Sequence, residues 1–262
     1  MTQGGLLQLM DLINRRVVPE LPPLLHLRQH DEAVTATLPV PQAAPGRTGA
    51  FVDMRSEATS LAEFLHDMGQ LDQDEDIYLK PASDATKLTN SKSLCIYSVQ
   101  IISAGSEIGI VGAVEGGDSY EDMKVSGAPF FEQVKELATN PVLRTKVGDV
   151  AVKIRIGGDL VNILEMMGLS KATSNFPCPT CHLPRVRFSD TSFDPALRVA
   201  CNGTRLGRTR ATIWNEAIKQ PNQRKFSVKH VPLCPIPRDP NGLIIDAIVF
   251  CELHITVRLC GK

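Results

Sequence analysis

Aromatic residues are scarce in this chain: one Trp, three Tyr and nine Phe among 262 residues. Binding single-stranded nucleic acid by stacking needs a row of aromatic platforms, and this composition argues against it. Long apolar runs are also lacking. Leu6 to Ile13 is short and interrupted by Gln8 and Asp11, so it does not read as a signal peptide. The run Leu243 to Leu259 contains Asp246, Glu252, His254 and Arg258. It reads as buried strand and helix, and no stretch approaches membrane-spanning length. There is no G-x-x-x-x-G-K-[ST] phosphate loop, no internal repeat and no low-complexity tract. Seven cysteines, an odd number, do not form a secreted disulfide framework.

Charge of either sign is not in excess overall, since the net is −1. Its distribution is uneven. Residues 1–143 carry ten Lys/Arg against twenty Asp/Glu, and residues 144–230 carry fifteen against six. A basic half attracts polyanions such as DNA. The plain alternative is that the acidic and basic halves pack on each other.

What is present is globular: 43% apolar and 22% charged residues, enough for one or two cores. Leu6, Leu7, Met10, Ile13 and Val17 predict a helix that Pro19, Pro22 and Pro23 stop. Residues 31–50, with Pro39, Pro41, Pro45 and Gly46, read as a linker. Ser60 to Met68 is predicted helical, with Ser60 as N-cap and Glu63 at N3. The cluster Asp72, Asp74, Glu75 and Asp76 reads as a solvated loop.

Strands are predicted at Ile77 to Leu79, Leu94 to Ile102, Ile108 to Val114 and Val150 to Ile156. A helix is predicted around Phe130 to Ala138, ending at Asn140-Pro141, and another from Leu160 to Met167. This order fits an α/β or α+β core. From Pro184 to Arg238 periodicity is lost and cations are scattered, with one helix predicted over Arg210 to Gln220. The division expected is residues 1–70 as a helical region with a linker, 71–183 as the first part of the core, and 184–262 as a basic insertion and a final segment.

Chemistry concentrates between residues 150 and 185. Asp159 follows an apolar strand and opens a helix, and nineteen residues later comes Cys178-Pro-Thr-Cys181. Asp159 is a natural N-cap with or without catalysis, and Gly168 a matching C′ residue. Asp84, in Pro81-Ala-Ser-Asp-Ala-Thr86, reads as part of an ordinary turn or as a second carboxylate. Two thiols across a tight turn chelate Zn²⁺, whose structural sites take four ligands. Two idle thiols are the bland alternative, and a nucleophilic cysteine with a histidine is a third possibility without any local signature.

The segments Lys153-Ile-Arg-Ile-Gly-Gly-Asp159 and Asn175-Phe-Pro-Cys178-Pro-Thr-Cys181-His182 resemble transposon-derived recombinases with an RNase H-like core, among them the catalytic core of the V(D)J recombinase. Gly158-Asp159, Gly168-Leu169 and Ser174-Asn175-Phe176-Pro177-Cys178 are also similar to runs in uncharacterised invertebrate proteins. The resemblance spans about residues 76 to 260. It implies an RNase H-like mixed sheet flanked by helices with a Cys-x-x-Cys zinc-binding insertion. It implies Asp84 and Asp159 as catalytic ligands of Mg²⁺ or Mn²⁺, and Cys178 and Cys181 as ligands of a structural Zn²⁺. DNA as partner, no membrane, a possible homodimer and a nuclear or other intracellular location follow from it.

The family also supplies a Glu from a late helix and two downstream histidines for zinc. Here Glu216 and Glu252 follow the Cys pair, and His182, Cys201, His230, Cys234 and His254 are open as further zinc ligands. With no clear third carboxylate, and an apolar stretch just before Gly261-Lys262, the expectation is an interrupted copy. Its ancestral reaction is Mg²⁺-dependent DNA cleavage and strand transfer, and this chain is expected not to perform it. The alternative is a non-catalytic, zinc-stabilised module that binds DNA or protein.

Overall fold

The computed structural model describes residues 41–71, 77–89, 92–103, 107–187 and 207–250, with Phe250 described by its backbone alone. The predicted N-terminal helix and the loop at 72–76 lie outside the described residues.

The strands are β1 (Gln42–Ala43), β2 (Gly49–Phe51), β3 (Ile77–Lys87), β4 (Ser93–Ile101), β5 (Ile108–Glu115), β6 (Val142–Thr145), β7 (Gly148–Ile154), β8 (Ile156–Gly158) and β9 (Ile248–Phe250). The helices are α1 (Met54–Asp67), α2 (Tyr120–Val125), α3 (Ala128–Thr139), α4 (Leu160–Met166) and α5 (Arg210–Ala217). The sheet runs β1-β2-β5-β4-β3-β7-β6, and β8 pairs with both β3 and β9. β3, β4 and β5 form an antiparallel meander, whereas β7 and β8 lie parallel to β3, and β9 lies parallel to β8. The protein is thus α/β, with a curled mixed sheet flanked by helices.

Alternation along the strands fixes the two faces. In β3, Ile77, Leu79, Pro81 and Ser83 are buried, while Tyr78, Lys80, Ala82 and Asp84 point the other way. In β4, Cys95, Tyr97, Val99 and Ile101 share the buried face. α1 packs over β4, β5 and β6, α3 lies against α1 and β7, and α4 against β8. The core between them is one cluster reaching from Ala44 to Ile248. Each Leu, Ile or Phe fully buried there contributes about 1.5–3 kcal/mol.

Several boundaries differ from the sequence expectation, each for a physical reason. α1 begins at Met54 because Asp53, not Ser60, caps it, its carboxylate accepting from Ser56 N at 2.7 Å. The expected linker contributes β1 and β2, because β2 completes the edge of β5. The run 81–86 is not a turn: β3 continues through it to Lys87.

Proline is normally excluded from a central strand because it removes a ladder donor. Here the ladder explains the exception. Tyr78 O accepts from Ile102 N on the β4 side, and Leu79 O from Arg155 N on the β7 side. Odd-numbered residues of β3 therefore address β7 and β8. The nitrogen of Pro81 faces the interruption at Arg155, between β7 and β8.

Candidate functional site

Asp84 and Asp159 come together through register. β3 pairs with β7 at Ile77↔Val152, Tyr78↔Lys153 and Leu79↔Ile154, and with β8 at Ala82↔Gly157. The offset is constant, so continuing it by two residues places Asp159 opposite Asp84. Neighbouring strands lie about 4.8 Å apart, and paired positions of parallel strands project to the same face. Asp84 is exposed on the face carrying Lys80 and Ala82. Carried one residue past the end of β8, that offset aligns Asp159 with Asp84 where β3 meets the start of α4.

Asp159 also caps α4. Its Oδ1 accepts from Asn162 N at 2.7 Å, an arrangement that satisfies an orphan N–H at the helix start. The helix is tied to β3 from the opposite, buried side: Ser83 Oγ donates to Asn162 Oδ1 at 2.9 Å. Ser83 adjoins Asp84, and Asn162 lies three residues after Asp159. One buried hydrogen bond thus ties the strand that carries Asp84 to the helix that Asp159 caps. Neither Ser83 nor Asn162 stood out in sequence, because a polar residue at an alternating position gives no sign of its partner.

α4 ends as its sequence predicts. Gly168 is at φ +67, its N–H bonds Glu165 O at 2.9 Å, and Leu169 N bonds Leu164 O at 2.8 Å. This is the paired closure that favours glycine at C′. A Cβ on Gly168 would also lie 2.2 Å from His230 O.

Cations lie on the same sheet face, toward the start of β3. The stem of Lys80 crosses Gly157, where an added Cβ would meet Lys80 Cδ at 2.5 Å. Lys153 and Arg155 lie over the Tyr78 ring, at 5.5 and 5.0 Å from its centre. Three positive side chains thus share the sheet face with Asp84.

The Cys pair occupies a separate loop. Cys178 is half-buried and Cys181 buried, and neither is in a disulfide. The Cys178 thiol is pulled down to about 6 by the neighbouring Cys181, with burial opposing and Thr180 adding to the effect. Thr180 Oγ1 lies 3.2 Å from Cys178 Sγ. A populated thiolate is the form that binds metal, so the two thiols fit half of a zinc site.

The nearby candidates for the other half are placed elsewhere. His182 packs on Phe226 at 4.3 Å between ring centres. His230 stacks on Tyr120 at 4.1 Å, and Cys234 is buried with its thiol toward Ile236 O. Cys201 and His254 lie outside the described residues. Among the described residues, no three His, Cys, Asp or Glu side chains converge to hold a metal ion.

Of the two later carboxylates, Glu252 lies outside the described residues. Glu216 is engaged by Lys219 Nζ and by Lys225 N, and its charge is felt by His182. Among the described helices, none is long and apolar enough to cross a membrane. No protein-family model matches the chain, and no curated protein matches it.

Proposed function

We propose that this chain carries the RNase H-like core of a transposon-derived recombinase, which binds DNA and holds Mg²⁺ or Mn²⁺ on Asp84 and Asp159 and Zn²⁺ on Cys178 and Cys181. The observation that carries the reading is the constant register between β3 and β7/β8, whose continuation aligns two carboxylates 75 positions apart. The strand order supports it. An antiparallel meander comes first, and parallel strands are then added beside its first strand. RNase H-like cores are built in that order.

Asp84 and Asp159 would hold the divalent ion, which would supply charge to polarise a phosphodiester oxygen. The protein's part is positional. Asp84 is fixed by the central strand and Asp159 by its cap on α4, and the Ser83–Asn162 bond ties that strand to that helix. Lys80, Lys153 and Arg155, on the same sheet face toward the start of β3, offer charge to phosphates on one side of the one held at the carboxylates. Catalysis with two ions needs further ligands, and among the described residues no third carboxylate joins the pair. The reading is therefore DNA and single-ion binding without cleavage.

Manganese binding followed by electron paramagnetic resonance tests it, with supercoiled-plasmid nicking run beside it. Bound Mn²⁺ lost in both Asp84→Asn and Asp159→Asn, and no nicking by the wild type, are the expected results. Mn²⁺ binding unchanged in both variants would overturn the carboxylate site. Nicking abolished by Asp159→Asn would overturn the claim of inactivity.

A further inference from the structure

Arg208 heads the fully buried side chains in size, at 0% exposure. A buried charge is costly unless paired or fully hydrogen-bonded. Among the described residues no carboxylate pairs with it. Its donors go to backbone carbonyls instead. Nε donates to Cys178 O and to Cys181 O, each at 2.9 Å. Nη2 donates to Phe176 O at 3.1 Å and to Phe226 O at 2.8 Å. Its own backbone N–H bonds Thr180 O at 2.8 Å, and Gly207 bridges to Cys181. Nη1 is buried with no partner.

The carbonyls of 176, 178, 180 and 181 therefore all point at one residue. The loop carrying the two thiols is wrapped around a planar fork. Such a loop has no ladder of its own, so the fork takes the place of secondary structure there.

We propose that Arg208 is the positioning residue of the Cys178/Cys181 pair. Its guanidinium holds the two thiols at chelating separation and sets a fixed positive charge behind the dithiolate that a metal would bind. Nη1 is the one donor left to meet that negative charge. The metal part of this rests on the zinc reading above, whereas the placement of the thiols does not. Arginine suits the role because its donors are rigid and its charge permanent, whereas lysine keeps the charge but loses the fork.

The test compares the full chain, stripped of metal, with Arg208→Lys and Arg208→Met. Three quantities are read: Zn²⁺ affinity by competition with a chromogenic chelator, the thiolate-to-cobalt absorption of the Co²⁺ form, and capture of phenylarsine oxide. The arsenical needs two adjacent thiols and no metal. Partners of metal ligands alter affinity about 10–100-fold when removed. That loss of zinc affinity is expected for Arg208→Met, with Arg208→Lys between it and the wild type. Arsenical capture should weaken in the same order.

Arg208→Lys matching the wild type in both zinc and arsenical binding overturns the proposal. It is also the deciding variant if Arg208→Met loses its near-ultraviolet circular dichroism. A wild type that captures the arsenical in an Arg208-dependent way but binds no zinc leaves the positioning role standing and removes the zinc reading. A wild type that captures neither removes both.

Discussion

Removing the side chain of Asp159 and removing only its charge are different experiments. Asp159→Ala deletes the cap of α4, whose carboxylate accepts from Asn162 N at 2.7 Å, and such losses cost about 0.5–2 kcal/mol. Asp159→Asn keeps an acceptor at the same place and should leave urea stability within a few tenths of that of the wild type. Both variants should lose Mn²⁺. A purely structural Asp159 would leave Mn²⁺ binding intact in the Asn variant.

Two buried thiols give a pH dependence of known sign. Burial pushes Cys95 up to about 11 and Cys234 up to about 12. Unfolded, each titrates near 8.5–9. The unfolded chain therefore loses these protons first as pH rises. The stability they contribute is full below about 9 and falls steadily toward 11 and 12. One unit is worth about 1.4 kcal/mol, so Cys95 alone accounts for a loss on the order of 2 kcal/mol. Chemical denaturation between pH 8 and 11 should show this slope. It should be shallower in a Cys95→Ala/Cys234→Ala variant, and an equal slope there would show that other groups carry it.

Among the elements, α4 was the most legible in sequence, because both of its ends are written in residue types. Asp159 caps it and Gly168 closes it, as the spacing predicts. Gly168→Ala should be costly twice over. It forces a side chain into positive φ, about 1–2 kcal/mol, and drives a Cβ to 2.2 Å from His230 O. Thermal unfolding should report a large fall in midpoint, and an unchanged midpoint would mean the backbone there adapts freely.

Other elements were illegible for reasons that lie in pairing, not propensity. β3 was cut at Pro81 because nothing local reveals that the neighbouring ladder is interrupted opposite it. β2 looked like linker because its Gly-Ala-Phe is a strand only when β5 is beside it. In α1 a good capping pattern at Ser60 competed with the true cap at Asp53. Asp84 and Asp159 could be picked out as separate candidates, but their alignment across β3 and β8 depends on register. Arg208 was one cation among many in an aperiodic stretch, and burial is what sets it apart.

For the whole molecule, the charge map meets the sheet face. Lys80, Lys153 and Arg155 lie on the sheet face that carries Asp84, so DNA affinity should fall with salt, each phosphate contact adding about 0.9 to the slope of log K against log salt. A Lys80→Gln/Lys153→Gln/Arg155→Gln variant should lower that slope by about 2–3 in fluorescence anisotropy with duplex DNA. An unchanged slope would locate the phosphate contacts elsewhere on the basic half.

The parallel pairing of β8 with β9 joins Ile156 to Ile248, Gly157 to Val249 and Gly158 to Phe250. The hairpins of the β3–β5 meander close over short turns, but this pairing must wait for some ninety residues of intervening chain to be gathered in. Contacts that distant in sequence carry a larger loop-closure cost and slow folding. The meander and the helices over it can assemble before β9 arrives, so the sheet should acquire its far edge last. In a pulse-labelling hydrogen-exchange experiment during refolding, the amides of Val99 and Val111 should become protected well before those of Ile248 and Val249. Simultaneous protection would mean that the sheet closes in one step.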